Sequence, residues 1–181
     1  MEEVYKIYSH NPPHLFRPYA KYFNTGATYE KKHYIKTNAA KIKVMEYMFK
    51  SFQHFGWRIE DWIILNNHYH IMANAPENAQ TLGQVINNFH KFSALWIKKN
   101  ELPNIDPEHV LYNYWDTCIT YEGSYFARIN YLWFNSVKHG YVEKAEDWKF
   151  GSFYERAQNW ENIKGIVEQY PFDELNIYDD F

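Results

Sequence analysis

The chain of 181 residues has a single cysteine, Cys118. No intrachain disulfide can form, and no cysteine cluster offers a zinc site. No apolar run is long enough to span a bilayer. The acidic start Met1-Glu2-Glu3 leads into no apolar segment of the signal-peptide kind. The expectation is a soluble cytoplasmic protein with no membrane partner. Internal repeats and low-complexity segments are absent. An excess of positive charge is lacking too: the net charge is −3, by itself a poor match to a nucleic-acid binder.

What is present argues for a folded domain. Hydrophobic residues make up 46% and charged residues 23%, enough apolar content for a core and too little charge for a disordered chain. The length fits one domain, 1–156, followed by an acidic C-terminal tail, 157–181. Aromatic residues reach 20%, and aromatics both fill cores and stack on unpaired bases. Charge is unevenly spread. Residues 1–50 carry nine Lys/Arg against four Asp/Glu, whereas residues 101–181 carry six against fifteen. A basic first part and an acidic end can still produce one positive face, although a solvated mixed surface fits the same counts.

Periodicity sets the order of elements. Residues 10–18 are proline-rich and read as an extended lead-in. Residues 20–29 read as a strand. Thr37-Asn38 opens a helix with Ile42, Met45, Met48, Phe49 and Phe52 at helical spacing, stopped near Gly56. Residues 57–65 and 68–75 read as two strands with Asn66-Asn67 at the turn. Thr81 caps a second helix whose stripe runs Leu82, Val85, Ile86, Phe89, Phe92, Leu95 and Trp96. Residues 110–121 are strand-like. Ser124 opens a third helix that ends near Gly140, a residue suited to a left-handed C-terminal position. Strand, helix, strand, strand, helix, strand is the α+β, ferredoxin-like split βαβ arrangement with an antiparallel sheet, here followed by an additional helix.

Two features carry chemistry. Side chains alternate across a strand, so His68 and His70 share one face and Tyr69 takes the other. Two neutral imidazoles so placed can chelate one divalent ion, given a third donor from elsewhere. Two histidines satisfied by water or backbone carbonyls fit the same spacing. On the third helix Phe126, Ile129, Asn130, Trp133 and Val137 cluster as the expected core face. Arg128, Tyr131 and Asn135 fall opposite, which makes Tyr131 a candidate exposed phenol beside an amide and a guanidinium.

The apolar strand leading into Asn67-His68-Tyr69-His70-Ile71-Met72 resembles the HUH motif of single-tyrosine transposases. Three later runs are similar to the REP-associated tyrosine transposases. They are Tyr114-Trp115-Asp116, residues 130–142 (NYLWFNSVKHGYV) and residues 146–153 (EDWKFGSF). That family has a Tyr four residues before an Asn, as in Tyr-Ile-x-x-Asn-Pro-Val-Lys-x-Gly-x-Val, and then an Asp-Trp-x-x-Ser-Ser-Phe box. Thr25-Gly26-Ala27-Thr28 also resembles the first strand of some members. The likeness covers roughly residues 18–156 and departs from the pattern at Tyr69, at Ser136 in place of proline, and at Thr117 in place of histidine.

The resemblance implies a metal-dependent enzyme that nicks single-stranded DNA beside hairpins and transfers the strand through a 5′-phosphotyrosine. Tyr131 would be the nucleophile. His68, His70 and Asn135 would hold Mg²⁺ or Mn²⁺, with Asp116 and Arg128 as supporting candidates. Lys31, Lys32, Lys36, Lys41 and Lys43 are candidates for DNA phosphates, and the chain would work as a monomer or a homodimer. The competing expectation is a domesticated relative, weak in catalysis, that binds DNA hairpins. A histidine-triad-like hydrolase needs a third alternating histidine where Met72 stands, and no His-Glu-x-x-His helix supports a zinc peptidase.

Overall fold

The structure, a computed structural model, describes residues 4–6 and 14–157 together with positions 165, 167, 169 and 170. Ten elements organise it: β1 (Val4–Lys6), β2 (His14–Phe16), β3 (Lys21–Thr28), α1 (Asn38–His54), β4 (Arg58–Ile64), β5 (His68–Asn74), α2 (Leu82–Asn100), β6 (Leu111–Ile119), α3 (Glu122–Lys138) and α4 (Ser152–Arg156). Four strands form an antiparallel sheet in the order β4-β5-β3-β6. This is the expected α+β split βαβ order, with α1 and α2 as the crossovers. The lead-in differs from expectation. Val4–Lys6 and His14–Phe16 pair as a small antiparallel ribbon, while residues 10–13 lie outside the described residues.

The sheet is covered on both faces. One core joins α1 and α2 to Tyr22, Ile64, Tyr69, Ile71 and Ala73, and a second joins α3 and α4 to Phe23, Ile63, Leu65 and Met72. A strand covered on both faces must be buried on both, and every residue of Tyr22–Thr28 in the central β3 is buried. Thr37 accepts the Ala40 N–H at 3.0 Å and starts α1. Gly56 and Gly140, at φ +77° and +69°, end α1 and α3 in the left-handed region that favours glycine.

The apolar stripes are rotated from those expected. On α1 the buried set is Ala40, Lys41, Val44, Met48, Ser51 and Phe52, while Ile42 and Phe49 are exposed. On α2, Phe92 and Leu95 are exposed, and Ser93 and Ile97 take the inward places. The third helix begins at Glu122, two residues before the expected Ser124.

Most of the segment expected to be an acidic tail lies outside the described residues. Two of its described positions, Val167 and Tyr170, pack on α3. Asn130 donates to the carbonyls of Val167 (3.1 Å) and Tyr170 (2.8 Å), and Phe126 stacks on Tyr170. Val167 is buried in the second core.

Candidate active site

The site lies where β5 faces α3. Alternation along β5 turns His68, His70 and Met72 toward α3 and Tyr69 toward α2. Tyr69 is accommodated on that far face. Its hydroxyl lies 2.8 Å from His90 Nε2, and its cross-strand partner is Gly26, where a Cβ would overlap the tyrosine ring. The departure from the family pattern at position 69 therefore leaves the histidine face untouched.

Both histidines are fully buried and each is held at Nδ1. His68 Nδ1 lies 2.8 Å from Asn67 Oδ1, and His70 Nδ1 lies 2.8 Å from Thr25 Oγ1. Burial, with the neighbouring His70 charge, pushes His68 down to about 2, and burial pushes His70 down to about 3. Both are neutral at physiological pH, the form in which imidazole binds metals. His68 Nε2 meets Asn135 Oδ1 at 2.9 Å.

That contact is informative. A neutral imidazole has one N–H. If Nδ1 gives it to Asn67, Nε2 presents a lone pair to the Asn135 amide. Two arrangements satisfy the pair: the amide NH₂ turned toward Nε2, or a cation between Nε2 and Oδ1. The Asn135 Nδ2 makes no hydrogen bond among the described residues.

Tyr131 is packed against this cluster. Its ring meets that of His70 edge-on at 5.1 Å and that of Phe23 at 6.4 Å, and Phe23 in turn stacks on His70. The expectation of an exposed phenol is corrected: Tyr131 is 2% exposed. The reason is that α3 is covered on two sides. The sheet takes Tyr131 and Asn135, and Val167 and Tyr170 cover the side of Asn130 and Phe126.

α3 is fixed to β4 by a buried carboxylate. Asp61 Oδ1 accepts Trp133 Nε1 at 2.9 Å and Ser152 Oγ at 2.8 Å, and Arg156 lies 3.2 Å from Oδ2. Neighbouring Glu60 accepts from Tyr125, Lys21 and Asn74. The β4 register shifts between Ile59 and Asp61, so adjacent acids serve two separate networks.

The other candidates divide. Arg128 lies over the Phe23 ring at 6.0 Å and bonds Ser124, so it borders the site from one side. Asp116 does not join it. It pairs with Asn24 and, by alternation, shares the face of Tyr114 and Cys118, which belong to the α1–α2 core. Lys41 is also corrected. It is 2% exposed, and its ammonium donates to the Ile35 and Lys36 carbonyls and to Asn66 Oδ1 at 2.7–2.9 Å, so it is turned away from any external phosphate. Lys31, Lys32 and Lys36 are exposed, and Lys43 is half-buried and pairs with Glu46.

Several residues escaped the sequence reading. Lys138 lies 4.6 Å over the Tyr131 ring and donates to its hydroxyl at 3.3 Å. The signal was its place seven residues after Tyr131, two helical turns along the same face. His139 stands against His68 with ring centroids 4.9 Å apart. Thr25 and Asn67, which the sequence offered only inside the family-like runs and with no role of their own, hold the two histidines. Among the described residues, no three His, Cys, Asp or Glu side chains converge on a metal position, and Asn135 Oδ1, 2.9 Å from His68 Nε2, is the candidate third donor.

Comparison with known proteins meets this geometry. The chain is 27% identical over 101 residues to the REP-associated tyrosine transposase of Escherichia coli K12 and 25% identical over 114 residues to a Haemophilus influenzae protein described as a putative one. Over just over half of its length the chain resembles the REP-associated tyrosine transposases. It spans 55% and 62% of the lengths of these two relatives. A solved REP-associated tyrosine transposase bound to a REP hairpin superposes with a TM-score of 0.67 at 18% identity, over 100% of this chain and 95% of that one. This likeness fixes the fold. No family model matches the chain.

Proposed function

We propose that the chain nicks and rejoins single-stranded DNA beside hairpins by transesterification at Tyr131. The observation that supports this most is the meeting, from separate elements, of two neutral histidines on β5 and a tyrosine and an asparagine one turn apart on α3.

His68 Nε2, His70 and Asn135 Oδ1 would hold a divalent ion. Two imidazoles and an amide oxygen suit Mn²⁺ better than Mg²⁺, which prefers oxygen alone. Such an ion, when bound, polarises a non-bridging phosphate oxygen. Asn67 and Thr25 hold the two rings in place for that task. Tyr131 Oη attacks phosphorus and the bond from phosphorus to O3′ breaks. The phenolic proton ends on that oxygen, giving a 5′-phosphotyrosine and a free 3′-hydroxyl. Lys138, already at the phenolic oxygen, orients it. The Asp61 network keeps α3, and with it both Tyr131 and Asn135, on the sheet. Lys31, Lys32 and Lys36 are exposed, Lys32 in an ion pair with Glu30, and would contact phosphates.

One observation favours the second reading, a hairpin binder that does not cut: the phenol is 2% exposed, so a phosphate reaches it only after local movement. A labelled hairpin oligonucleotide with a single-stranded extension, incubated with Mn²⁺, separates the two. A denaturant-resistant adduct, absent with Tyr131→Phe and with chelator, supports the transesterase. Tight binding without an adduct in any divalent metal supports the binder.

A further inference from the structure

The sheet face that carries the histidines is covered unevenly. The contacts of α3 concentrate on β4, through Asp61 and Glu60, and on β5, through His70. The edge strand β6 stays largely open on this face. Its outward residues there are Trp115, 46% exposed, and Thr117, also exposed. Among the described residues no ring packs on the Trp115 indole. A single exposed aromatic is ordinary on a protein surface; what sets Trp115 apart is its place in the sheet.

Register places this indole. Thr25 pairs with His70 on one side and with Trp115 on the other, so the three form one row across β5, β3 and β6. Directly paired residues share a face, and strands lie about 4.8 Å apart, so the Trp115 backbone is about 10 Å from that of His70. The next row runs through Phe23 and Thr117, with the Arg128 guanidinium above Phe23. An aromatic face and a hydroxyl thus share the sheet face of the histidine pair, with the guanidinium above the row next to them and the buried Thr25 between Trp115 and His70.

We propose that Trp115 is a stacking platform for a base of single-stranded DNA, one or two nucleotides from the phosphate held at His68 and His70. The occupant follows from the chemistry of the shelf: a π-face accepts any base, and Arg128 at its border suits the connecting phosphate. Paired bases are unavailable for such stacking, so the shelf selects the unpaired extension beside the hairpin stem. This rests on the reading of the site as a DNA site and adds the part that reads strandedness.

The test uses the full chain in the Tyr131→Phe background, where no adduct forms at that tyrosine. Binding is measured to a hairpin with a single-stranded extension and to the same hairpin blunt-ended, with 2-aminopurine placed at successive positions of the extension. Trp115→Ala is expected to weaken binding of the extended hairpin about tenfold, and Trp115→Phe by no more than about threefold, since phenylalanine keeps a π-face. Blunt-hairpin affinity and melting temperature stay at the parent values. Quenching at one or two 2-aminopurine positions disappears with alanine and survives with phenylalanine. Equal binding of the extended hairpin by Trp115→Ala overturns the shelf, as does a parent chain that does not bind the extension. Adduct formation by the chain with Tyr131 intact is scored separately. An adduct with an idle Trp115 overturns the shelf alone, and a working Trp115 without an adduct overturns the nicking alone.

Discussion

His68 Nε2 and Asn135 Oδ1 stand 2.9 Å apart although 67 residues separate them in the chain. Both are fully buried, and Asn67 holds the other nitrogen of the imidazole. The arrangement needs β5 and α3 locked in one register, which ties the chemistry of the site to the packing of the helix.

Asn67 is expected to tune the metal site without touching the metal. Asn67→Ala frees Nδ1 and lets the imidazole rotate or change tautomer. Mn²⁺ affinity, followed by electron paramagnetic resonance of the free ion, should fall about tenfold or more, with the fold retained. Unchanged affinity would remove Asn67 from the site.

Lys138 is expected to act on the reaction and not on binding. Lys138→Met should slow adduct formation about tenfold while the affinity for an extended hairpin stays within about twofold, and Lys138→Arg should recover most of the rate. An equal loss in binding and rate would make the lysine a DNA contact instead.

Gly26 is expected to tolerate no side chain while Tyr69 is present. A Cβ there overlaps the Tyr69 ring. Gly26→Ala should cost about 1–3 kcal/mol in urea unfolding, and Tyr69→Val in the same chain should return part of that loss. Additive losses in the double variant would show that the two positions do not compete for space.

Lys41 gives a pH signature. Burial pushes its ammonium from 10.5 down to about 8. The unfolded chain therefore binds more protons between these values, and stability rises with pH across that window. Below about 8 the burden of the buried charge is fully present, and near 10.5 it is gone. The stability of the parent relative to Lys41→Met should climb by up to about 1.4 kcal/mol per pH unit across the window. A flat difference would mean that the three acceptors hold the charge throughout.

The split βαβ order was legible because each strand and helix carries its own period, and alternation alone put His68 and His70 on one face. The spacing of four between Tyr131 and Asn135 was legible for the same reason. What failed was the assignment of faces. Apolar residues on α1 wrap past the buried stripe, so Ile42 and Phe49 looked like core, while Lys41 sits three and seven residues before Val44 and Met48 on the true one. Tyr131 looked exposed because a helical wheel supposes one covered side, whereas α3 has two. Asp116 entered as a site candidate only through the resemblance, and strand pairing, which is not written in the local pattern, puts it beside Asn24 on the far face.

Peptide mapping of the DNA adduct decides whether Tyr131 is the nucleophile. The parent chain, incubated with extended hairpin DNA and Mn²⁺ and then digested with nuclease and protease, should yield one nucleotide-bearing peptide, modified at Tyr131. A nucleotide on any other tyrosine, or no modified peptide while hairpin binding is intact, would contradict the account.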